Sequence, residues 1–409
     1  MLLAIILILV IMIIVTLKCI PLMCAVVVGS GLYMGNSHAR DNDTTRTYAV
    51  FGTMGDSPIH FLIEEMNKHG FCQVTNPRAN QMIDVVWTSI GNNGHFDPLS
   101  YNIPCLVKNV TDVKSYSIIA DKKSLHALIA HEDRRAYELY FARTEQMDKF
   151  KYPRAHASVH TPVYILRPSG LGFFSGRDIL RVSNAFEFAR AKKYYERNHI
   201  PLYNVIVSEY FDEPYLWDGR KFHLRLYMLV RADPAFRARD SWELWRDNND
   251  DYTRPRGKIL TAAKPYERGH YNDKDIHDTH AKSTNRALFF PTHAYAIHPS
   301  SSDSKVRLDL RDIYAQLEDI CATLAHQLEC AKLHPYKESQ RAFDIFGLDV
   351  LIVHTSTRDP AVILIEVNDR VGYATIEDPI TNIFFQDFYA WAYNRGVKPL
   401  LDQSMQKRE

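Results

Sequence analysis

Glu366 and Asn368 close the apolar run "VILIEVNDR" with a carboxylate and an amide two positions apart. On a strand that spacing puts both groups on one face. Asp349 sits inside a second apolar run, "IFGLDVLIV", and the linking "HTSTRDP" is rich in turn formers. Paired antiparallel, the two runs would gather two carboxylates and an amide oxygen on one face. Hard oxygen donors of that kind suit a magnesium ion that also holds phosphate oxygens. The same residues would equally serve as the ordinary polar ends of a hairpin.

A basic set lies upstream. In "KFHLR" the same alternation puts Lys221, His223 and Arg225 on one strand face, where they meet either solvent or an anion. Arg167 precedes "PSGLGFFSGRD", whose Gly170, Gly172 and Gly176 would let backbone amides approach phosphate oxygens. "SEYF" at 208–211 ends a strand and offers backbone groups to a flat ring edge. In "GHYNDKDIHDTH" the spacing of His270, His277 and His280 suits zinc on a helix, while the polarity of the segment reads as a solvated loop.

The elements that must position these groups alternate strand and helix. "TYAVFGTMGDSPIHFLIEEMNKHGFCQV" reads as a strand, a helix carrying Ile59, Leu62, Ile63 and Met66 on one side, and a second strand; "MIDVVWTSI" is a third. A helical segment from Asp121 leads to the strands "PVYILRPS" and "ILRV", a helix at 184–198, and the strands "YNVIVSEYF" and "KFHLRLYMLVRA". Residues 233–305 are polar and unperiodic, as an inserted loop or lid would be. Ile313, Leu317, Ile320, Leu324 and Leu328 then mark a long helix by their three- and four-residue spacing, and an aromatic helix is expected near 380–395.

Length and charge set outer bounds. A chain of 409 residues has material for two or three structural units. Its 49 basic and 48 acidic side chains nearly cancel, which argues against nucleic acid as a partner. Six scattered cysteines with no close pair fit a reduced, intracellular setting.

The N-terminus departs from this average. Met1 to Leu17 is free of charge, and after Lys18 a second apolar stretch runs to about Met34. That is long enough to cross a bilayer, so a retained single-pass anchor is expected over 1–35, with a cleaved signal or a buried helix as its rivals. Arg40 and Arg46 follow the run and nothing basic precedes it, which favours a cytosolic body on the membrane. The glycosylation sequons at Asn42 and Asn109 would matter in the opposite orientation.

Taken in order, "IDVVWTS", "DKKSLHALI", "YILRPSG", "VSEYF", "KFHLRLYMLV", "GKILTAAKPY", "STN", "FGLDVLI" and "ILIEVNDR" resemble the tubulin-tyrosine-ligase-like family of ATP-grasp carboxylate-amine ligases over about 48–390. The resemblance implies an α+β ATP-grasp fold with an N-terminal α/β subdomain. Its parts would be an anchor at 1–35, a linker at 36–46, and subdomains at 47–115, 116–211 and 212–400. It implies ATP and magnesium as cofactors, with Asp349, Glu366 and Asn368 as metal ligands. Lys123 or its neighbour Lys122, together with Arg167 in place of a lysine, would contact nucleotide; Glu209, Tyr210 and Phe211 would form the adenine hinge. Lys221 and Arg225 match the KFDxR motif and would serve nucleotide and the reacting groups, and Thr284 and Asn285 would reach phosphate and substrate. The implied reaction joins a free amino acid to a carboxylate, on a protein tail such as that of tubulin or on a peptide, through an acylphosphate. A nucleotide-binding adaptor without turnover and a small-molecule ligase are the alternatives.

Four positions depart from the family pattern. His223 replaces the aspartate of KFDxR, Arg167 replaces a lysine, Leu260 replaces a basic residue, and no proline follows Asn368. Arg370 either meets an acidic acceptor or pairs with a surface carboxylate.

Overall fold

A computed structural model describes residues 46–51, 59–78, 81–88, 105–107, 119–153, 162–169, 178–232, 242–246, 256–279, 295–297, 305–308, 310–330, 341–368 and 379–406. The expected anchor at 1–35, the glycines at 170, 172 and 176, His280, Thr284, Asn285 and Arg370 lie outside these residues. Among the described residues no helix is long and apolar enough to cross a membrane.

The chain opens with β1 (Thr47–Phe51), α1 (Ile59–Lys68), β2 (Cys72–Gln73), β3 (Val85–Thr88) and β4 (Cys105–Val107). The segment from Asp121 breaks into α2 (Lys122–Glu132) and α3 (Arg134–Tyr140) because Asp133 ends one helix and caps the next, its side chain accepting from the Ala136 amide. Then follow β5 (Thr144–Gln146), β6 (Tyr164–Pro168), β7 (Leu180–Val182), α4 (Ala185–Arg197) and β8 (Val205–Glu209), whose four strands form a sheet in the order β5-β8-β6-β7.

β9 (Leu216–Trp217) and β10 (Arg220–Ala232) begin the second half. The stretch expected to be irregular supplies β11 (Trp242–Leu244), β12 (Gly257–Thr261), α5 (Lys274–His277) and β13 (Tyr295–Ile297). It lacks periodicity because these strands are short pieces: β11 and β12 are added to the edge of β10, where Leu244 and Ile259 are buried, and β13 pairs with β9. β14 (Lys305–Arg307), α6 (Leu310–Cys330), β15 (Arg341–Val353), β16 (Ala361–Asn368), α7 (Pro379–Ala392) and α8 (Lys398–Gln406) complete the order. β10, β15 and β16 lie in a twelve-stranded sheet that also takes in β1 to β4.

Both faces of β10 are buried, each against different partners. Phe222, Leu224, Leu226, Met228 and Val230 join one core with Ile313, Leu317, Ile320, Leu324 and Leu328 of α6, as the helical spacing predicts. On the opposite face Tyr227 and Leu229 join a second core with Phe61, Leu62 and Met66 of α1 and Phe384, Phe385 and Phe388 of α7. Lys221, His223 and Arg225 occupy the first half of that same face, so a polar site begins where the aromatic core stops.

Candidate active site

β15 and β16 pair antiparallel, with Asp349 opposite Glu366 and Gly347 opposite Asn368. The register then slips, because Val350 pairs with Leu364 and Ile365 is the extra residue of a bulge. The slip reconciles two demands. Val362, Leu364 and Val367 all reach the α6 core, while Glu366 and Asn368 stay on the face of Asp349.

On the other side of β15, Asp349 stands opposite Arg225 of β10. The guanidinium grips the buried carboxylate at both oxygens: Nη2 donates to Oδ2 at 2.7 Å and Nε donates to Oδ1. His223 Nε2 lies 3.5 Å from Oδ1, and the Asn368 amide donates to Oδ2 at 3.3 Å. Burial opposes charge on Asp349, but Arg225 and His223 outweigh it and hold the carboxyl well below the usual range. The same pair raises Arg225 against the cost of its own burial. Gly347 makes room for this grip, since a Cβ there would lie 3.2 Å from Arg225 Cδ and 3.5 Å from Asn368 Cβ.

Lys122, the first residue of α2, pairs with Glu366 at 2.5 Å. Burial opposes charge on Glu366 as well; Lys122 prevails and lowers its carboxyl. The start of α2 is locked by Asp121, whose side chain accepts from the Ser124 amide and, at 2.5 Å, from the Ser169 hydroxyl just beyond β6. Of the two lysines expected near phosphate, Lys122 is therefore the one at the carboxylates. Lys123 turns to Tyr203, donating to its carbonyl at 3.4 Å, because successive helical side chains point about 100° apart.

Arg167 of β6 is buried and donates to Ser208 Oγ at 3.2 Å, while its Nε meets no hydrogen-bond partner among the described residues. Burial lowers its pKa, Glu366 opposes that, and Arg181 adds to it. His126, one turn along α2 from Lys122, is buried with Nδ1 likewise unmatched; burial, Arg167 and Lys122 push it down to about 3, so it is neutral. Lys221 donates to Tyr210 Oη at 2.8 Å. Burial, Arg181 and Arg167 drive its ammonium well below the usual lysine range, with Asp212 opposing. Lys258 of β12 stands opposite Arg225, and burial and that neighbour bring it down to about 8. The solvent-facing reading of the basic face fails, because Lys221, His223 and Arg225 are all buried.

The hinge residues are only partly placed for a ring edge. The amides of Glu209 and Tyr210 donate to the carbonyls of Arg143 and Val163, both at 2.9 Å. The Tyr210 side chain turns inward, and Phe211 packs on the small cluster of Val353, Ala361 and Ile363. Leu260 is buried opposite His223. The histidine motif does not converge: the His270 ring pairs with Glu267 at 3.1 Å, whereas His277 is buried against Tyr210. Among the described residues no group of three His, Cys, Asp or Glu side chains gathers to hold a metal.

The donor chemistry still fits a divalent cation. Asp349 and Glu366 are ionised hard donors held side by side, and the Asn368 amide completes the set. The unmatched Arg167 Nε, with Lys221 close enough for the two charges to repel, fits the phosphates of a nucleotide. Sequence reading passed over His126, Arg181 and Lys258. Their signal, basic residues spaced along strands or one helical turn apart, is visible only once strand pairing is known.

A comparison with curated proteins found no match. Residues 107–238, which carry Lys122, Arg167, Lys221 and Arg225 but not Asp349 or Glu366, match the model of the tubulin-tyrosine ligase family, so that less than half of the chain is similar to that family.

Proposed function

We propose that the chain is an ATP-dependent carboxylate-amine ligase that adds an amino acid to the carboxylate of a protein tail, tubulin-like in kind, or of a peptide. The observation that carries this reading is the register of β10, β15 and β16, which sets Arg225, Asp349 and Glu366 side by side on one buried face. ATP-dependent amide formation brings a substrate carboxylate against a triphosphate, and two anions approach only where cations are already fixed. Arg225 is fixed by Asp349, and Lys122 by Glu366. Lys221 and Arg167 are held by neutral hydroxyls, so their charge is not cancelled by those contacts.

Asp349, Glu366 and Asn368 would hold magnesium, which when bound supplies charge neutralisation at the phosphates. Arg167 and Lys221 would bind phosphate oxygens. Arg225 would orient the attacking carboxylate, which displaces ADP to give an acylphosphate; the amine then takes the acyl group, releasing phosphate and a proton. For the apolar segment 1–35 we keep the membrane anchor, with the catalytic body on the cytosolic side.

A second reading has its own support. Both carboxylates are already ion-paired with cations of the protein, and His223 stands where the family has an aspartate. A domain that binds nucleotide without turnover accommodates that arrangement. The full chain, incubated with magnesium-ATP, a panel of amino acids and tubulin, separates the two: ADP release with a mass shift on the acceptor, lost in Glu366→Gln, supports the ligase. Tight ATP binding with no product from any combination supports the adaptor.

A further inference from the structure

Lys221 ends a hydrogen-bond chain whose direction is fixed at its far end. His277 Nε2 lies 3.0 Å from the backbone carbonyl of His270, and a carbonyl can only accept. The ring proton is therefore on Nε2, and a neutral imidazole then has a bare Nδ1. Tyr210 Oη lies 2.7 Å from that Nδ1 and donates to it. The phenol oxygen is left as an acceptor, and Lys221 Nζ donates to it at 2.8 Å. The ammonium also sits 4.2 Å from the centre of the Tyr210 ring, within cation–π range.

The chain is neutral at every link beyond the lysine. Burial, Arg181 and Lys221 push His277 down to about 4, and burial foremost raises the Tyr210 phenol. A carboxylate in place of the phenol would cancel the ammonium charge; a phenol orients the ammonium and leaves its charge for an incoming anion. The groups around it come from several elements. Arg181 of β7 lies over the Tyr210 ring at 5.6 Å, Arg167 reaches in from β6, Asp212 follows β8, and Tyr266 and Tyr271 pack on the His277 ring. The segment 262–279 touches the same face again where Thr279 Oγ1 meets His223 Nδ1 at 2.5 Å.

We propose that Tyr210 and His277 are positioning residues for Lys221, and that through them the polar segment 262–279 is a working part of the anion site. This rests on the reading of Lys221 as a nucleotide contact. Tyr210 thereby acts through its side chain, a different role from the backbone contact expected of a hinge.

The test uses the full chain with Tyr210→Phe, His277→Leu and His277→Asn, each alone and combined with Lys221→Met, and calorimetric titration with magnesium-ATP. Tyr210→Phe keeps the ring and removes only the linking oxygen. Tyr210→Phe and His277→Leu are each expected to weaken ATP about tenfold, the scale of one charge-assisted hydrogen bond. His277→Asn, which returns an acceptor near Nδ1, recovers most of the loss. On the Lys221→Met background neither change has a further effect, whereas losses that simply add overturn the proposal. Acetic anhydride labelling of Lys221 in the nucleotide-free protein is the second measurement. Its rate should change several-fold in Tyr210→Phe and His277→Leu relative to the other lysines. An unchanged rate overturns the proposal even where ATP binds. A changed rate in a protein that binds no ATP supports the tether and removes the nucleotide reading instead.

Discussion

Asp349 lies directly opposite Glu366 across the β15–β16 pair, and the register shifts by one residue immediately beyond it. The juxtaposition depends on the bulge at Ile365: were Ile365 to take its turn in regular alternation, a strand that kept Leu364 in the α6 core would turn Glu366 into the core as well. Deleting Ile365 makes the pairing continuous, with Val362, Leu364 and Val367 still on the core face and Glu366 and Asn368 still on the other, so it should spare the site. The expected outcome is a cooperative unfolding transition with ATP affinity within about twofold of the parent, about 0.4 kcal/mol. A loss of tenfold or more would show that the bulge itself shapes the carboxylate site beyond setting which face Glu366 takes.

The Arg225–Asp349 pair makes a different kind of forecast. Both groups are buried, so removing one leaves the other as an uncompensated charge. Asp349→Ala should lose about 3–5 kcal/mol in urea unfolding. The double change Arg225→Met with Asp349→Leu should lose much less than the sum of the singles, and strict additivity would argue that the pair contributes no coupling.

Two glycines separate backbone from side-chain constraint. At Gly257 a Cβ would strike the Arg225 carbonyl oxygen and lie 2.8 Å from Leu226 Cδ2, so Gly257→Ala must push β12 off β10. At Gly347 the nearest atom is the flexible Arg225 side chain at 3.2 Å. Gly257→Ala is expected to lower stability by about 1–3 kcal/mol, with Gly347→Ala below that range but clearly weaker in ATP binding. Thermal melts and calorimetry on the two variants check the contrast.

The strands and helices that carry the site were largely legible, because period-two and helical patterning survive in β10, β15, β16 and α6. The shared face of Lys221, His223 and Arg225, and of Glu366 and Asn368, follows from alternation alone. What alternation cannot show is pairing between distant strands. Lys258 looks like one polar residue in "GKILT" until β12 is seen to set it against Arg225. The irregular reading of 233–305 failed for the same reason, since β11 and β12 are too short to show a period and form by pairing with β10. His277 read as solvated or metal-binding because nothing local announces a tyrosine 67 residues away.

Lys258 gives a pH prediction with a definite sign. Its folded pKa is about 8, against 10.5 for an ordinary lysine, lowered by burial and by Arg225. Between those values the unfolded chain holds a proton that the folded chain has released, so this residue makes stability rise with pH across the window. That contribution is lost as pH falls through about 8. Lys258→Met should flatten the slope by up to about 1.4 kcal/mol per pH unit. Urea midpoints for both proteins at pH 8, 9 and 10 provide the difference; parallel slopes would mean that Lys258 is not buried as a near-neutral amine.

Lys122 and Lys123 are adjacent in sequence and face different tasks. Lys122 holds Glu366 at 2.5 Å, whereas Lys123 reaches the Tyr203 carbonyl and lies 5.9 Å from the Tyr203 ring centre. Removing the first charge leaves Glu366 facing Asp349 with one counter-cation fewer, and Asp349 already works against its ionisation. Lys122→Met is therefore expected to raise the Glu366 pKa and to weaken magnesium-ATP about tenfold or more. Lys123→Met, which loses an exposed contact, should stay within about twofold, the range of a surface interaction. Calorimetric titrations of the two variants at pH 6 and pH 8 distinguish the outcomes, because the Lys122→Met loss should be larger at pH 6, where a raised Glu366 takes up a proton. Equal losses in the two variants, or a loss confined to Lys123→Met, would move the phosphate contact to the other lysine and detach α2 from the carboxylates.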